Sequence, residues 1–200
     1  MSNQEQKTKP TIFLDRDGVL NLDAGYVFQE DKLEIIESAI SAMKSLSQSG
    51  YLLVVVTNQS GIARGYYEEE DVIRLHKIMD QRFMKNGVKI TDWYFCPHHP
   101  EGIKPQYKKT CDCRKPANGM LRQATLDHNI DLPNSYMVGD KQSDIEAGLS
   151  MGVKTIQILD KYPKTSTAHY HTKSLKEALD FIPLDLKIST SANPSSSTKL

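Results

Sequence analysis

Short apolar runs alternate with longer stretches of helical periodicity along most of this chain. That alternation is typical of an α/β fold, a Rossmann-like parallel sheet with helices on both faces. The predicted strands cover residues 11–14, 51–56, 93–96, 135–138 and 153–159. The predicted helices cover residues 35–50, 68–86, 119–129, 144–151 and 174–181. Ligands of such sheets bind beyond the carboxyl ends of the strands, so the residues that follow each apolar run are the candidates for function.

The chain of 200 residues has the length of one ordinary domain. We predict an N-terminal extension over residues 1–10, one domain over 11–186 and a disordered tail over 187–200, where serine and threonine dominate. No apolar stretch is long enough for a membrane helix and the first nine residues are polar, which predicts a cytoplasmic protein. The sequence shows no long apolar surface stripe, which favours a monomer.

The charge of the chain limits its partners. Its 25 basic and 25 acidic side chains cancel at pH 7. Nucleic-acid and anionic-membrane partners favour a basic excess, so neither is expected. An anionic partner must instead be held by a local group of charges.

Four aspartates follow two of the predicted strands. Asp15 and Asp17 follow residues 11–14, and Asp140 and Asp144 follow residues 135–138. Carboxylates that converge in a cleft repel one another unless a proton or a cation lies between them. An open set of oxygen ligands favours Mg²⁺. The alternative is that each aspartate only caps a helix or a turn.

The spacing of Asp15 and Asp17 predicts a more definite chemistry. Residues two apart in an extended chain face the same way, so both carboxylates can reach one reacting atom. Phosphate monoesters hydrolyse very slowly in water, and an aspartyl-phosphate intermediate divides that barrier into two steps. We predict that Asp15 attacks phosphorus and that Asp17 is the general acid and base. Neighbouring carboxylates are expected to raise the pKa of Asp17, so that it begins protonated.

A transferring phosphoryl group also needs hydrogen-bond donors and cations. Thr57 and Asn58 offer a hydroxyl and an amide at the end of the second predicted strand. Lys115 offers a point charge for the phosphate, and the planar guanidinium of Arg114 suits a second anionic group.

The cysteines predict a second metal site. Cys96 and His98 form a C-x-H pair, Cys111 and Cys113 form a C-x-C pair, and 12 residues separate the pairs. Four such ligands suit a closed, structural zinc site that ties the loop 96–116. His99 is an alternative to His98 as the fourth ligand. A redox-active cysteine pair is disfavoured because the C-x-x-C spacing is absent.

Four segments together resemble the motifs of the haloacid dehalogenase-like (HAD-like) phosphatases. They are DRDGVLN from residue 15, TNQSG from residue 57, RK at residues 114–115, and GDK at residues 139–141 followed by Asp144. The resemblance covers residues 11–159 and extends to DAGYV from residue 23 and to the CPHHP and CDCRKP segments of the loop 96–116. Within this family the chain is similar to enzymes that act on a sugar bisphosphate.

This resemblance implies roles for individual residues. Asp15 is implied as the nucleophile and Asp17 as the acid/base, with Thr57 and Lys115 stabilising the phosphoryl group. Mg²⁺ is implied on Asp15, Asp140 and the carbonyl of Asp17. Zn²⁺ is implied on Cys96, His98, Cys111 and Cys113. Arg114 is implied in substrate recognition. The implied lining of the substrate site comprises Asp23, Ala24, Gly25, Tyr26, Thr57, Asn58, Gln59, Ser60, Lys115 and Lys141. No large cap domain is expected, so that the zinc-tied loop selects the substrate.

Two other functions compete with a sugar bisphosphatase. Histidinol-phosphate phosphatases share the family core, but their substrate carries one phosphate and an ammonium group. A bisphosphate site needs positive charge away from Asp15, and this chain offers Arg64, Lys104, Lys108, Lys109 and Arg114. A catalytically silent zinc-containing binding module is the third possibility, but such a module has no physical need for the complete set of catalytic groups.

Overall fold

The computed structural model describes residues 8–165 and 167–186. A six-stranded sheet runs through the centre in the order β3-β2-β1-β4-β5-β6, with every neighbouring pair parallel. The strands are β1 (Thr11–Leu14), β2 (Leu52–Asn58), β3 (Asp92–Cys96), β4 (Tyr136–Gly139), β5 (Lys154–Ile158) and β6 (Tyr170–Thr172). The helices are α1 (Glu37–Gln48), α2 (Glu69–Lys85), α3 (Gly119–His128), α4 (Gln142–Ser150) and α5 (Leu175–Ala178). The predicted α/β class is thereby confirmed.

Helices cover both faces of the sheet. Successive strand residues point to opposite sides, so the apolar strands present side chains to be buried on each face. Ile12 and Leu14 of β1 pack in the core that contains residues of α1, α2 and α5. Phe13 points the other way, into the core that contains residues of α3 and α4. All three side chains are fully buried.

One strand, β6, was not predicted from the sequence. β6 has three residues, Tyr170–Thr172, and pairs with β5 at the edge of the sheet. The segment YHT contains no apolar run, so periodicity does not reveal it. Its pairing is a tertiary effect, with Ile156 opposite Tyr170.

Most element boundaries move by only one to three residues from the predicted ones. Thr57 and Asn58 are the last residues of β2 and do not follow it. α4 begins at Gln142, so Asp144 lies in its first turn. The predicted final helix divides into α5 and a 3₁₀ turn, Leu179–Phe181, and the hydroxyl of Ser174 accepts a hydrogen bond from the Glu177 amide at its start.

The connections around the sheet leave the site without a large cap. Residues 15–36, between β1 and α1, and residues 59–68, between β2 and α2, contain only one 3₁₀ turn, Glu30–Lys32, and both segments lie within the described part of the chain. The proposed tail 187–200 and residues 1–7 of the proposed extension lie outside the described residues. Among the described helices, none combines the length and the apolar character that crossing a membrane requires.

Candidate active site

The strand order reverses between β1 and β4, and the candidate site lies at the carboxyl ends of these two strands. Asp15 directly follows β1, Asp140 directly follows β4, and Thr57 lies near the end of β2. A narrow cleft lies at this position. It is lined by Asp15, Asp17, Thr57, Asn58, Lys115, Lys141, Ser143 and Asp144.

Lys115 is the buried cation of this cleft. Its Nζ lies 2.9 Å from Asp15 Oδ1, 2.7 Å from Asp144 Oδ1 and 2.6 Å from the Val56 carbonyl oxygen. Burial opposes its charge, but the carboxylates of Asp144 and Asp15 raise the pKa of Lys115 above its ordinary value. The ammonium is therefore charged and lies directly beside the predicted nucleophile.

Asn58 holds the backbone of Lys115. The Asn58 Nδ2 donates to the Lys115 carbonyl at 3.0 Å, and the Lys115 amide donates to Asn58 Oδ1 at 3.0 Å. These two hydrogen bonds use the side-chain amide of Asn58, which the sequence analysis had proposed as a donor to the phosphoryl group. Asn58 therefore lines the cleft while it positions the lysine.

Three carboxylates converge beneath Lys115. Oxygens of Asp15, Asp140 and Asp144 lie within 4.8 Å of one another. Asp140 Oδ1 is buried and has no hydrogen-bond partner in the described structure. Gly18 approaches so closely, at a φ of +88°, that an added Cβ would lie 2.3 Å from Asp140 Oδ2. A buried oxygen without a donor, in a set of carboxylates, fits a hard divalent cation.

The charge of Asp140 depends on what occupies this cluster. Burial and the neighbouring carboxylate of Asp15 raise the pKa of Asp140 to about 8. In an unfolded chain the carboxyl titrates near its ordinary value, about 4. Between these two pH values the folded, magnesium-free protein binds a proton that the unfolded chain does not. The free energy of unfolding therefore falls as the pH rises from about 4 to about 8.

We expect Mg²⁺ to weaken this dependence, because a cation selects the charged carboxylate. Urea unfolding between pH 5 and pH 8.5, with and without Mg²⁺, measures the effect. Stabilisation by Mg²⁺ should be larger at pH 8 than at pH 5, and Asp140→Asn should remove most of the difference. Equal stabilisation at both pH values would contradict the assignment of Asp140 to the cation site.

Asp17 has different neighbours from those that the sequence predicted. Its carboxylate accepts hydrogen bonds from Arg16 Nη2, Asn21 Nδ2 and Gln59 Nε2, at 3.0, 2.9 and 3.2 Å. The carboxylates that converge in this cleft are those of Asp15, Asp140 and Asp144. The donors around Asp17 fix the orientation of its carboxylate at the edge of the cleft.

Arg16 is a neighbour of Asp17 that the sequence analysis did not predict. Its guanidinium is fully buried and also donates to the Val27 carbonyl at 2.7 Å. Its Nη1 lies 3.4 Å from His76 Nε2, which must accept because arginine only donates. Burial and this guanidinium hold the pKa of His76 well below its ordinary value, so the imidazole is neutral. The sequence offered one indication of this role for Arg16, which is its position between the two candidate catalytic aspartates Asp15 and Asp17.

Asp23 connects the predicted substrate loop to the carboxylate cluster. Its Oδ2 lies 3.2 Å from Lys141 Nζ and accepts from the Tyr162 hydroxyl at 3.1 Å. Lys141 Nζ lies 3.7 Å from Asp140 Oδ1 and 4.8 Å from the centre of the Tyr162 ring. Burial opposes both charges, but Lys141 holds the pKa of Asp23 below its ordinary value. The carboxylates of Asp15, Asp140 and Asp23 raise the pKa of Lys141 above its ordinary value. Tyr162 lies beyond the motifs, and no pattern in the sequence indicated its role.

The remaining predicted substrate residues do not lie together. Ala24, Gly25 and Tyr26 line a neighbouring cavity of about 380 Å³ together with Tyr66. Gln59 lies under the cleft, where its Nε2 donates to Thr57 Oγ1 at 2.9 Å. Ser60 does not line the cleft, and its carbonyl accepts from the Arg64 amide at 3.0 Å.

The three cysteines and His98 form one cluster. The Sγ atoms of Cys96, Cys111 and Cys113 lie 3.1–3.5 Å apart, and His98 Nδ1 lies 3.3 Å from Cys113 Sγ. These distances exceed the length of a disulfide bond, about 2.0 Å. His99 turns away: its Nδ1 accepts from the Glu101 amide at 3.1 Å. The four side chains that could hold a metal ion here are therefore those of the three cysteines and His98, and His99 is not among them.

Comparison with known proteins agrees with this arrangement. The HAD-hydrolase-like family model matches residues 112–182. Among solved structures, D,D-heptose 1,7-bisphosphate phosphatase from B. bronchiseptica, complexed with magnesium and phosphate, aligns with a TM-score of 0.75 and 26% identity over 86% of this chain and 97% of that chain. The fold and the cleft therefore define a HAD-like phosphatase.

Curated relatives narrow this class. D-glycero-beta-D-manno-heptose-1,7-bisphosphate 7-phosphatase of Haemophilus ducreyi is 48% identical over 88% of this chain and 97% of its own length. The enzyme of the same name from Vibrio cholerae is 52% identical over 74% of this chain and 79% of its own length. The chain belongs to the D-glycero-beta-D-manno-heptose-1,7-bisphosphate 7-phosphatase family.

Proposed function

We propose that this chain removes the 7-phosphate of D-glycero-D-manno-heptose 1,7-bisphosphate in a Mg²⁺-dependent reaction. The printed names of its relatives support the substrate. The observation that carries the chemistry is the buried Lys115 ammonium, which lies 2.9 Å from Asp15 Oδ1 and 2.7 Å from Asp144 Oδ1, two members of the carboxylate cluster. A cytoplasmic role in making the heptose of the lipopolysaccharide core is the corresponding cellular proposal.

In the proposed reaction a carboxylate oxygen of Asp15 attacks phosphorus, and the bond from phosphorus to the sugar oxygen breaks. Asp17 gives a proton to the departing alkoxide. Water then attacks the aspartyl phosphate, Asp17 takes its proton, and inorganic phosphate leaves with Asp15 regenerated. Lys115 and the Thr57 hydroxyl stabilise the charge on the phosphoryl oxygens.

Asp15, Asp140 and the carbonyl of Asp17 are the proposed holders of Mg²⁺, with Asp144 beside them. The bound ion supplies positive charge against the phosphoryl oxygens. Asp144 also accepts the Lys141 amide through Oδ2 at 3.0 Å, which fixes the start of α4 against the cleft.

Zinc is the proposed ion for Cys96, His98, Cys111 and Cys113. Three sulfurs and one imidazole nitrogen are a closed structural set that leaves no position for a reacting water. Arg114 and Lys115 follow Cys113 directly, so this ion would stiffen the segment that carries them.

Removal of this metal should destabilise the protein. We expect one Zn²⁺ per chain by elemental analysis, and none in Cys113→Ser. The variant should lose at least about 2 kcal/mol, which is a fall in Tm of about 4–8 °C for a chain of this size. Asp112→Asn, an exposed change between two of the ligands, is the matched control and should keep the metal. Full stability of a metal-free protein would contradict the assignment.

The substrate proposal is tested by comparing turnover of the heptose bisphosphate with that of histidinol phosphate. The expected result is a clear preference for the bisphosphate, with phosphate released from C7 and heptose 1-phosphate as the product. A preference for histidinol phosphate would overturn the substrate, and absence of phosphate release from both would overturn the enzyme proposal.

A further inference from the structure

Gln59 lies at the centre of a buried set of hydrogen bonds under the cleft. Its Nε2 donates to Thr57 Oγ1 at 2.9 Å and to Asp17 Oδ2 at 3.2 Å. These two bonds use both protons of the side-chain amide. One side chain thereby connects Thr57, the predicted donor to the phosphoryl group, with Asp17, the predicted acid and base.

Tyr67 fixes which end of this amide faces the cleft. Its hydroxyl donates to Gln59 Oε1 at 2.7 Å, and burial raises the pKa of Tyr67, so the hydroxyl keeps its proton. The ring stacks on Phe28 with 4.8 Å between the ring centroids. Gly61 leaves room for the ring, since an added Cβ would lie 2.2 Å from Tyr67 Cε1. The Gln59 amide cannot turn over without losing this bond and placing its oxygen against the Asp17 carboxylate.

The bond from Gln59 determines where the Thr57 hydroxyl proton points. Thr57 Oγ1 accepts from Gln59 Nε2, so its own O–H must point in another direction. Within the described part of the chain the Thr57 hydroxyl donates to no protein acceptor, and Thr57 lines the cleft beside Asp15 and Lys115. A phosphoryl oxygen in the cleft is the acceptor that would complete this set of hydrogen bonds.

We propose that Gln59 and Tyr67 are positioning residues that turn the Thr57 hydroxyl toward the transferring phosphate and hold the carboxylate of Asp17. This inference rests on the proposed function and deepens it. Gln59 is 2% exposed and Tyr67 is 4% exposed, so both act through Thr57 and Asp17 and not by contact with the substrate. A hydroxyl that is oriented in advance needs no reorganisation as charge develops on the phosphoryl oxygens, so the network should affect kcat more than KM.

The inference is tested with two substitutions that remove hydrogen bonds but keep the size of the side chain. Tyr67→Phe deletes only the hydroxyl that fixes the amide, and Gln59→Met deletes both donors. With the heptose bisphosphate and Mg²⁺, kcat should fall about 3- to 10-fold in Tyr67→Phe and about 10- to 100-fold in Gln59→Met. KM should change by less than about twofold in both. A rise in KM at unchanged kcat would overturn the inference, because these residues would then bind the substrate instead.

Tyr51→Phe is the matched control for the loss of a buried tyrosine hydroxyl. Tyr51 directly precedes β2, and its hydroxyl donates to the Pro183 carbonyl at 3.1 Å, away from the carboxyl end of β2. Tyr51→Phe and Tyr67→Phe should lower Tm by similar amounts, roughly 2–4 °C, but only Tyr67→Phe should lower kcat. Equal kcat values in these two variants would overturn the inference while the phosphatase activity stands. This comparison also decides the question if Gln59→Met fails to fold.

A double variant shows whether Tyr67 acts through Gln59. In the Gln59→Met background the hydroxyl has no amide to hold, so the addition of Tyr67→Phe should change kcat by less than about 1.5-fold. Multiplication of the two single effects would overturn the proposed route from Tyr67 to Thr57 and Asp17. If the unaltered protein releases no phosphate, the proposed function fails, and the positioning role fails with it.

Discussion

Asp15→Asn is expected to abolish Mg²⁺-dependent phosphate release, with kcat reduced by at least about 10⁴-fold. An amide keeps the shape of the side chain but is a very poor nucleophile. Lys115 Nζ can still donate to the amide oxygen at this position, so the fold should survive the change. Steady-state phosphate release, measured on the heptose bisphosphate, gives the magnitude.

Two further measurements distinguish loss of the nucleophile from general damage. Asp31→Asn makes the same substitution at an exposed position in the 3₁₀ turn Glu30–Lys32 and should keep normal activity. Acid quench during turnover should trap a phosphorylated chain in the unaltered protein, with the label on Asp15 by mass spectrometry. Label on another residue, or substantial activity of the Asp15→Asn variant, would show that the proposed chemistry is wrong.

Lys115→Met is the second large expected effect, because it changes both stability and activity. The ammonium is the buried cation between Asp15 and Asp144, at 2.9 and 2.7 Å. Its removal leaves two buried carboxylates without compensation, at a cost of about 3–5 kcal/mol. Urea unfolding at pH 7 without Mg²⁺ should show this loss. The loss should be smaller at pH 5, since burial raises the pKa of Asp144 and a proton on that carboxyl then replaces the missing charge.

The control for Lys115→Met is Lys77→Met, at an exposed position of α2. It should change stability by about 0.5 kcal/mol at most and leave turnover intact. Phosphate release by Lys115→Met should fall by about 100-fold or more, because a donor to the phosphoryl oxygens is lost. Unaltered stability of Lys115→Met in the absence of Mg²⁺ would mean that the ammonium of Lys115 does not stabilise the buried carboxylates of Asp15 and Asp144.

The sequence was sufficient for the parts of the fold and site that depend on local pattern. Five of the six strands, and the positions of Asp15 and Asp140 at two strand ends, follow from apolar runs and the polar residues behind them. The cysteine and histidine spacing likewise indicated a cluster that the structure brings together. These features depend on near neighbours in the chain.

Contacts between distant loops could not be predicted in this way. The bonds from Asn58 to Lys115 join residues 57 positions apart, and the Tyr162 hydroxyl reaches Asp23 across 139 positions. The neighbours of Asp17 were not predicted either, because the side chain of Arg16 could equally have faced solvent. Spacing identifies which groups carry the chemistry, and packing decides what each of them touches.

The burial of Arg16 links the chemistry to the folding of the whole chain. Its guanidinium is compensated by groups from three segments: Asp17, the Val27 carbonyl and His76 of α2. Local opening of any one segment would leave the buried guanidinium without one of its partners, which costs free energy. Amide hydrogens around the aspartate pair should accordingly exchange only by global unfolding, so that the catalytic geometry is acquired and lost cooperatively with the native state.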